Sequence, residues 1–137
     1  MEPCQVHILA ADRTFYEGPC VSLVIPTSDG ERGILARHEN MIAAIQPGTL
    51  RWQVPEQEVQ LAAVSPGMVK VERNDVLVLV DSAERPEEID EARARRAADE
   101  AREALLQKKS RQEHQIAQTS LARALNRLRI KSHGTIN

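Results

Sequence analysis

Three arginines in the last third of the chain have types and spacing that fit phosphate chemistry. Arg123 and Arg127 are four residues apart, the interval that places two side chains on one helical face. Arg93 lies in Ile89-Asp90-Glu91-Ala92-Arg93-Ala94, three residues after Asp90, so this pair also shares a face. If the chain folds back about residues 109–110, position 93 comes near the level of 126 and the three guanidiniums converge. Planar, permanently charged forks without as many carboxylates suit a phosphate group. The same residues also fit a surface Asp90–Arg93 pair beside two solvated arginines, an arrangement that is common and weak. Spacing alone leaves both readings open.

Other constellations carry less. Ser28-Asp29-Gly30-Glu31-Arg32-Gly33-Ile34-Leu35 is punctuated by glycine but lacks the lysine and hydroxyl ending of a nucleotide-binding P-loop. It reads as a hairpin turn with glycines at positive φ and a charged tip that can serve as a contact surface. The histidines at 7, 38, 114 and 133 form no pair at metal-ligand spacing. No Gly-x-Ser-x-Gly occurs, neither cysteine has an evident histidine partner, and the carboxylates are scattered, so no catalytic site is expected.

The elements that must position the arginines follow from a break in composition near residue 85. Six of seven prolines, five of six glycines and all three aromatics (Phe15, Tyr16, Trp52) precede it. Residues 1–84 carry 6 basic and 12 acidic side chains, whereas residues 85–137 carry 12 basic and 8 acidic ones. Before the break, β-type runs recur at Val6–Leu9, Cys20–Ile25, Leu50–Val54, Val59–Val64, Val69–Val71 and Val76–Val80. Turn formers separate them at 17–19, 28–30, 47–48, 66–67 and 74–75, the pattern of a β-sandwich or barrel. After the break, Glu84-Arg85-Pro86-Glu87-Glu88 reads as a helix start, with proline and acids in the first turn. An apolar stripe follows at 94, 97, 98, 101, 104 and 105. Gln107-Lys108-Lys109-Ser110 interrupts it, and Ser110 to Glu113 has capping-box spacing. A second helix presents Ala117, Leu121, Ala124, Leu125 and Leu128 on one face, and Lys131–Asn137 reads as a frayed tail. The expected fold class is α+β: an antiparallel β-sandwich over 1–84, then an antiparallel two-helix hairpin over 85–137. The mostly alanine seam buries little area per residue, so the hairpin is expected to form and also to open.

Length and charge narrow the classes. A chain of 137 residues makes one domain, or a small domain with an appendage. A net charge of −2 argues against a general nucleic-acid binder. Residues 108–137, with seven basic side chains against Glu113, form a solvated face or an arm for an acidic partner. Cys4 and Cys20 fit free thiols in a reducing compartment, with a single disulfide as the other reading. The N-terminal residues have no signal-peptide pattern, and an apolar run such as Val76–Val80, which no other run exceeds, is far short of a membrane span.

Together these residues resemble the epsilon subunit of F-type ATP synthase. The likeness is carried by Phe15-Tyr16-Glu17-Gly18, by Asp29 to Leu35 followed by His38, and by Pro47-Gly48. It continues through Asn74 to Leu79, Ala83-Glu84, Ile89 to Ala94, and Arg123-Ala124-Leu125-Asn126-Arg127-Leu128. The resemblance implies about ten strands and a non-catalytic rotor subunit of the central stalk, with no required cofactor. Its implied partners are the gamma subunit, the ring of c subunits (near Glu31 and His38) and the catalytic alpha and beta subunits. The implied location is peripheral, on the cytoplasmic face of a bacterial plasma membrane. It further implies a mobile hairpin that restrains ATP hydrolysis. In some bacterial members ATP binds that hairpin, and the matching positions here are Glu84, Ile89, Asp90, Arg93, Ala94, Arg123 and Arg127. Two departures stand out: Glu100 where ATP-binding relatives offer an arginine, and Pro66 where the family usually has glycine. The rival reading is a free-standing adaptor that binds nucleic acid or an acidic protein through the basic arm.

Overall fold

The computed structural model describes residues 3–107 and 110–136, with side chains as far as Ser132. The chain forms two units, Met1–Glu84 and Arg85–Asn137.

The first unit contains strands β1 (Cys4–Ala10), β2 (Arg13–Cys20), β3 (Ser22–Thr27), β4 (Gly30–Leu35) and β5 (Met41–Ile45). It continues with β6 (Gly48–Gln53), β7 (Val59–Val64), β8 (Gly67–Glu72), β9 (Asp75–Val80) and β10 (Ala83–Glu84). They build two five-stranded sheets, ordered β2-β1-β9-β8-β5 and β10-β7-β6-β3-β4. Every pairing is antiparallel except β1 with β9, which run parallel. Alternation sorts the side chains: Val76, Val78 and Val80 of β9 face inward, whereas Leu77 and Leu79 face outward. Val6, Ile8, Val69 and Val78 of one sheet meet Leu23, Ile25, Leu50 and Trp52 of the other in a single core. Phe15 meets Trp52 edge-on at 5.6 Å, with Tyr16 at 5.9 Å.

Several local expectations are corrected. Glu17-Gly18-Pro19 is not a turn but lies inside β2, opposite His7, Val6 and Gln5. Pro19 is tolerated there because β2 is an edge strand, where a missing N–H costs no ladder bond. The glycine-punctuated segment is mostly strand: the turn is confined to Ser28 and Asp29, and β4 pairs with β3 from Gly30 to Leu35. Gly30 alone of its two glycines has positive φ, at 110°. Pro66 causes no local break. Its carbonyl accepts from Asp81 N–H, while Ser65 and Ser82 join through their hydroxyls at 2.6 Å. Gly67 carries the steric demand, since a Cβ there would lie 1.9 Å from the Leu79 carbonyl oxygen.

In the second unit Pro86–Glu88 is a single 3-10 turn, and helix α1 spans Glu91–Leu106. The helix therefore starts later than the proline and glutamates imply. Ile89 is extended, and Asp90 caps α1 by accepting from the Arg93 backbone N–H at 3.1 Å. Ser110 Oγ accepts from Glu113 N–H at 3.2 Å and starts α2 (Arg111–Ile136). Lys108 and Lys109, in the expected break, lie outside the described residues. The expected frayed tail is helical through Ile136. Buried Ile130 and a bond from Lys131 Nζ to the Pro86 carbonyl at 3.1 Å hold its base. Asn137 lies outside the described residues.

Candidate functional site

The arginine cluster depends on how α1 and α2 face each other. They contact along their lengths, with Ala94, Ala98 and Ala101 of α1 and Ala117 and Ala124 of α2 buried. The Lys131–Pro86 bond ties the end of α2 to the start of α1, so the pair is antiparallel and residue 93 lies near the level of 124. Arg93 precedes buried Ala94 by one position, and Arg123 precedes buried Ala124 by one. In two antiparallel helices, positions one before the seam fall on the same flank, and Arg127 follows Arg123 one turn later. The helical geometry thus brings Arg93, Arg123 and Arg127 to one flank. Arg123 Nε is buried and hydrogen-bonds nothing among the described residues. Asn126, between Arg123 and Arg127, is also buried.

The remaining residues of the motif have structural duties. Asp90 is engaged as the helix cap, so it meets Arg93 through the backbone N–H and not through a carboxylate–guanidinium pair. Ile89 and Ala94 are buried, and Glu84 sits in β10. A hollow of about 950 Å³ opens beside Ile89 and Asp90, lined also by Ala92, Arg95, Asp99 and Lys131. Arg93, Arg123 and Arg127 do not line it. Sequence spacing missed this second basic set because Lys131 read as tail; its place one turn beyond Arg127 was the available signal. Arg123 borders a smaller hollow of about 410 Å³ with Gln115, Ile116 and Thr119.

Glu31 and His38 belong to the first unit. Glu31 is exposed on β4 and pairs with Arg51 of β6. His38 follows β4, its N–H bonded to the Leu35 carbonyl at 3.2 Å and its Nδ1 against the Glu39 carbonyl at 2.8 Å. Two asparagines fix this loop: Asn74 Oδ1 accepts from Arg37 N–H at 2.7 Å, and Asn40 Oδ1 accepts from Arg73 N–H at 3.1 Å. On the outer face of the first sheet Leu9, Leu79, Met68 and Ala44 form one cross-strand row, with Met68 and Leu79 exposed and exposed Ile42 beside it. Among the described residues no group of acids, histidines and cysteines forms a metal site. None of their helices is long and apolar enough to cross a membrane.

Two consecutive domains of one family match the chain: the ATP synthase delta/epsilon chain beta-sandwich domain over residues 3–86, and its long alpha-helix domain over residues 87–132. The chain belongs to the ATP synthase delta/epsilon family. Among curated relatives, the ATP synthase epsilon chain of Ruminiclostridium cellulolyticum is 38% identical, over 90% of this chain and 91% of its own. That of Caldanaerobacter subterraneus subsp. tengcongensis is 42% identical, covering 93% and 92%. The fold of this delta/epsilon chain also recurs in solved mitochondrial ATP synthases. A chain from Euglena gracilis matches with TM-score 0.82 and 21% identity, covering all of this chain and 83% of that one. A chain from Tetrahymena thermophila matches with TM-score 0.61 and 13% identity, covering 96% and 95%.

Proposed function

We propose that this epsilon-type chain is a non-catalytic rotor subunit of an F-type ATP synthase, joining gamma to the c-ring and regulating hydrolysis through residues 85–137. The observation that carries the reading is the tandem match of both family domains, in order, across 3–132. Both mitochondrial neighbours come from ATP synthase assemblies that include the c-ring, which supports the partners. The apolar row Leu9, Leu79, Met68 and Ala44 offers gamma a docking face, since exposed contiguous apolar surface marks interaction sites. Glu31 and His38 meet the polar loops of the ring. The chain reaches the cytoplasmic membrane face only through the complex. Its basic second helix meets the acidic surface of the catalytic subunits when the hairpin extends.

ATP is the regulatory ligand in this reading. Arg93, Arg123 and Arg127 bind the phosphates from one flank, and Ile89, Asp90 and Ala94 set the start of α1 that presents Arg93. Support comes from the shared flank and from the buried, unpartnered Arg123 Nε. A ligand bridging both helices shifts the population toward the folded hairpin. Two experiments test the function. Co-purification of the full chain with gamma is expected, and its failure rejects the rotor assignment. Calorimetric titration with ATP should show binding that Arg93→Ala and Arg127→Ala weaken at least tenfold while Arg95→Ala leaves it unchanged. Equal binding in all variants rejects the arginine flank.

A further inference from the structure

Cys4 opens β1 and Cys20 closes β2, and the two are direct partners in the antiparallel register. Directly opposed residues project to the same face of a sheet, and here both side chains enter the core. Cα atoms of such partners lie about 4.5–5.5 Å apart, inside the roughly 4.4–6.8 Å that a disulfide spans. Both thiols are free. Cys4 Sγ donates to the Cys20 carbonyl at 3.2 Å, and Cys20 Sγ donates to the Ser22 carbonyl at 2.9 Å. The pair sits at the open end of the β1–β2 hairpin, whose other end is closed by the turn at Ala11 and Asp12.

We propose that Cys4 and Cys20 form a redox modification site, a dithiol that a small-molecule disulfide such as oxidised glutathione converts into a cross-strand disulfide. One cysteine, as the thiolate, attacks a sulfur of the oxidant; a mixed disulfide forms and one glutathione thiolate leaves and takes a proton. The second cysteine, also as the thiolate, then attacks the sulfur of the first. The Cys4–Cys20 bond forms, and the second glutathione leaves and is protonated. Two protein thiols lose two electrons, and one oxidant disulfide becomes two thiols.

Cys4 is the entry point. It is the first residue of β1, and its pairing with β2 precedes the start of the β1–β9 ladder at Gln5, so it is freed by the smallest opening of the strand end. Burial sets the pace. It raises both thiols, Cys20 to about 11, so little thiolate exists at neutral pH and exchange is slow. The product closes the hairpin covalently at the end opposite its turn and fastens edge strand β2 to β1.

The test uses the intact full-length chain, incubated with oxidised glutathione at mildly alkaline pH, then quenched in acid, unfolded and alkylated. The expected product is a monomer lighter by two hydrogens, with Cys4 and Cys20 peptides linked until reduced. Titratable thiols fall from two to none, and the rate rises about tenfold per pH unit while thiolate is scarce. Cys4→Ser, a small change at the strand end, is expected to give no linked product. A parallel incubation in denaturant below the unfolding transition, which frees the strand end, separates slow access from absence of reaction. Stable glutathione adducts, disulfide-linked dimers, or two unreacted thiols in both incubations overturn the proposal.

Discussion

The two units bury different side chains. The sandwich interlocks Trp52, Ile8, Leu23, Ile25 and Ile34, all fully buried, whereas the helical pair meets along Ala94, Ala98, Ala101, Ala117 and Ala124. Each large side chain removes several methylene groups from water, and each contributes ~1.5–3 kcal/mol on burial; an alanine methyl contributes a fraction of that. Long-range strand pairing and a dense core make the first unit a rigid base. A seam made largely of alanine makes the second easier to part. A regulatory arm needs that difference, because its two states must lie within a few kcal/mol of each other.

The largest effects should come from the sandwich. Trp52→Ala removes a buried indole packed on Phe15 and Tyr16, and should cost about 3–5 kcal/mol in urea unfolding followed by circular dichroism. A loss below about 1 kcal/mol would remove the contrast between the units. Alkaline pH probes the same core. The Cys20 thiol ionises near 9.0 when unfolded and is raised to about 11 by burial and by the neighbouring Cys4. The folded state therefore holds the proton more tightly. Stability from the neutral thiol is complete below pH 9 and is lost as pH rises through 11, on the order of 2 kcal/mol. Unfolding of Cys20→Ala across that window should show a correspondingly shallower decline.

The helical unit should respond less. Ala98→Leu overfills the seam and should destabilise α1 by roughly 1–3 kcal/mol, read as faster amide exchange in that helix. Asp90→Ala removes the cap and should cost about 1 kcal/mol of helix stability by the same measure. Arg95→Ala breaks only the exposed pair with Glu91, at 2.9 Å, and should change stability by less than about 0.5 kcal/mol.

These contrasts explain what the sequence revealed. Valine-rich alternation exposed β9, because its neighbours cover one face and leave Leu77 and Leu79 outside. It missed β2, where Gly18 and Pro19 look like a turn, because only the sheet order shows that an edge strand tolerates them. It missed most of β4 for a related reason: Gly-Glu-Arg-Gly is polar, and its strand form comes from pairing with β3. The alanine stripe located the hairpin seam, since helical periodicity is local. The flank holding Arg93, Arg123 and Arg127 was legible as spacing. The capping duty of Asp90 and the hollow lined by Arg95 and Lys131 were not, because each depends on where a helix begins or ends.

Native-state hydrogen exchange on the full chain tests the difference between the units most directly. Amides of α1 and α2 should open together at free energies at least about 2 kcal/mol below those of β1, β8 and β9, well short of global unfolding. Exchange of helices and strands at one shared opening energy would contradict a separable, loosely seamed arm.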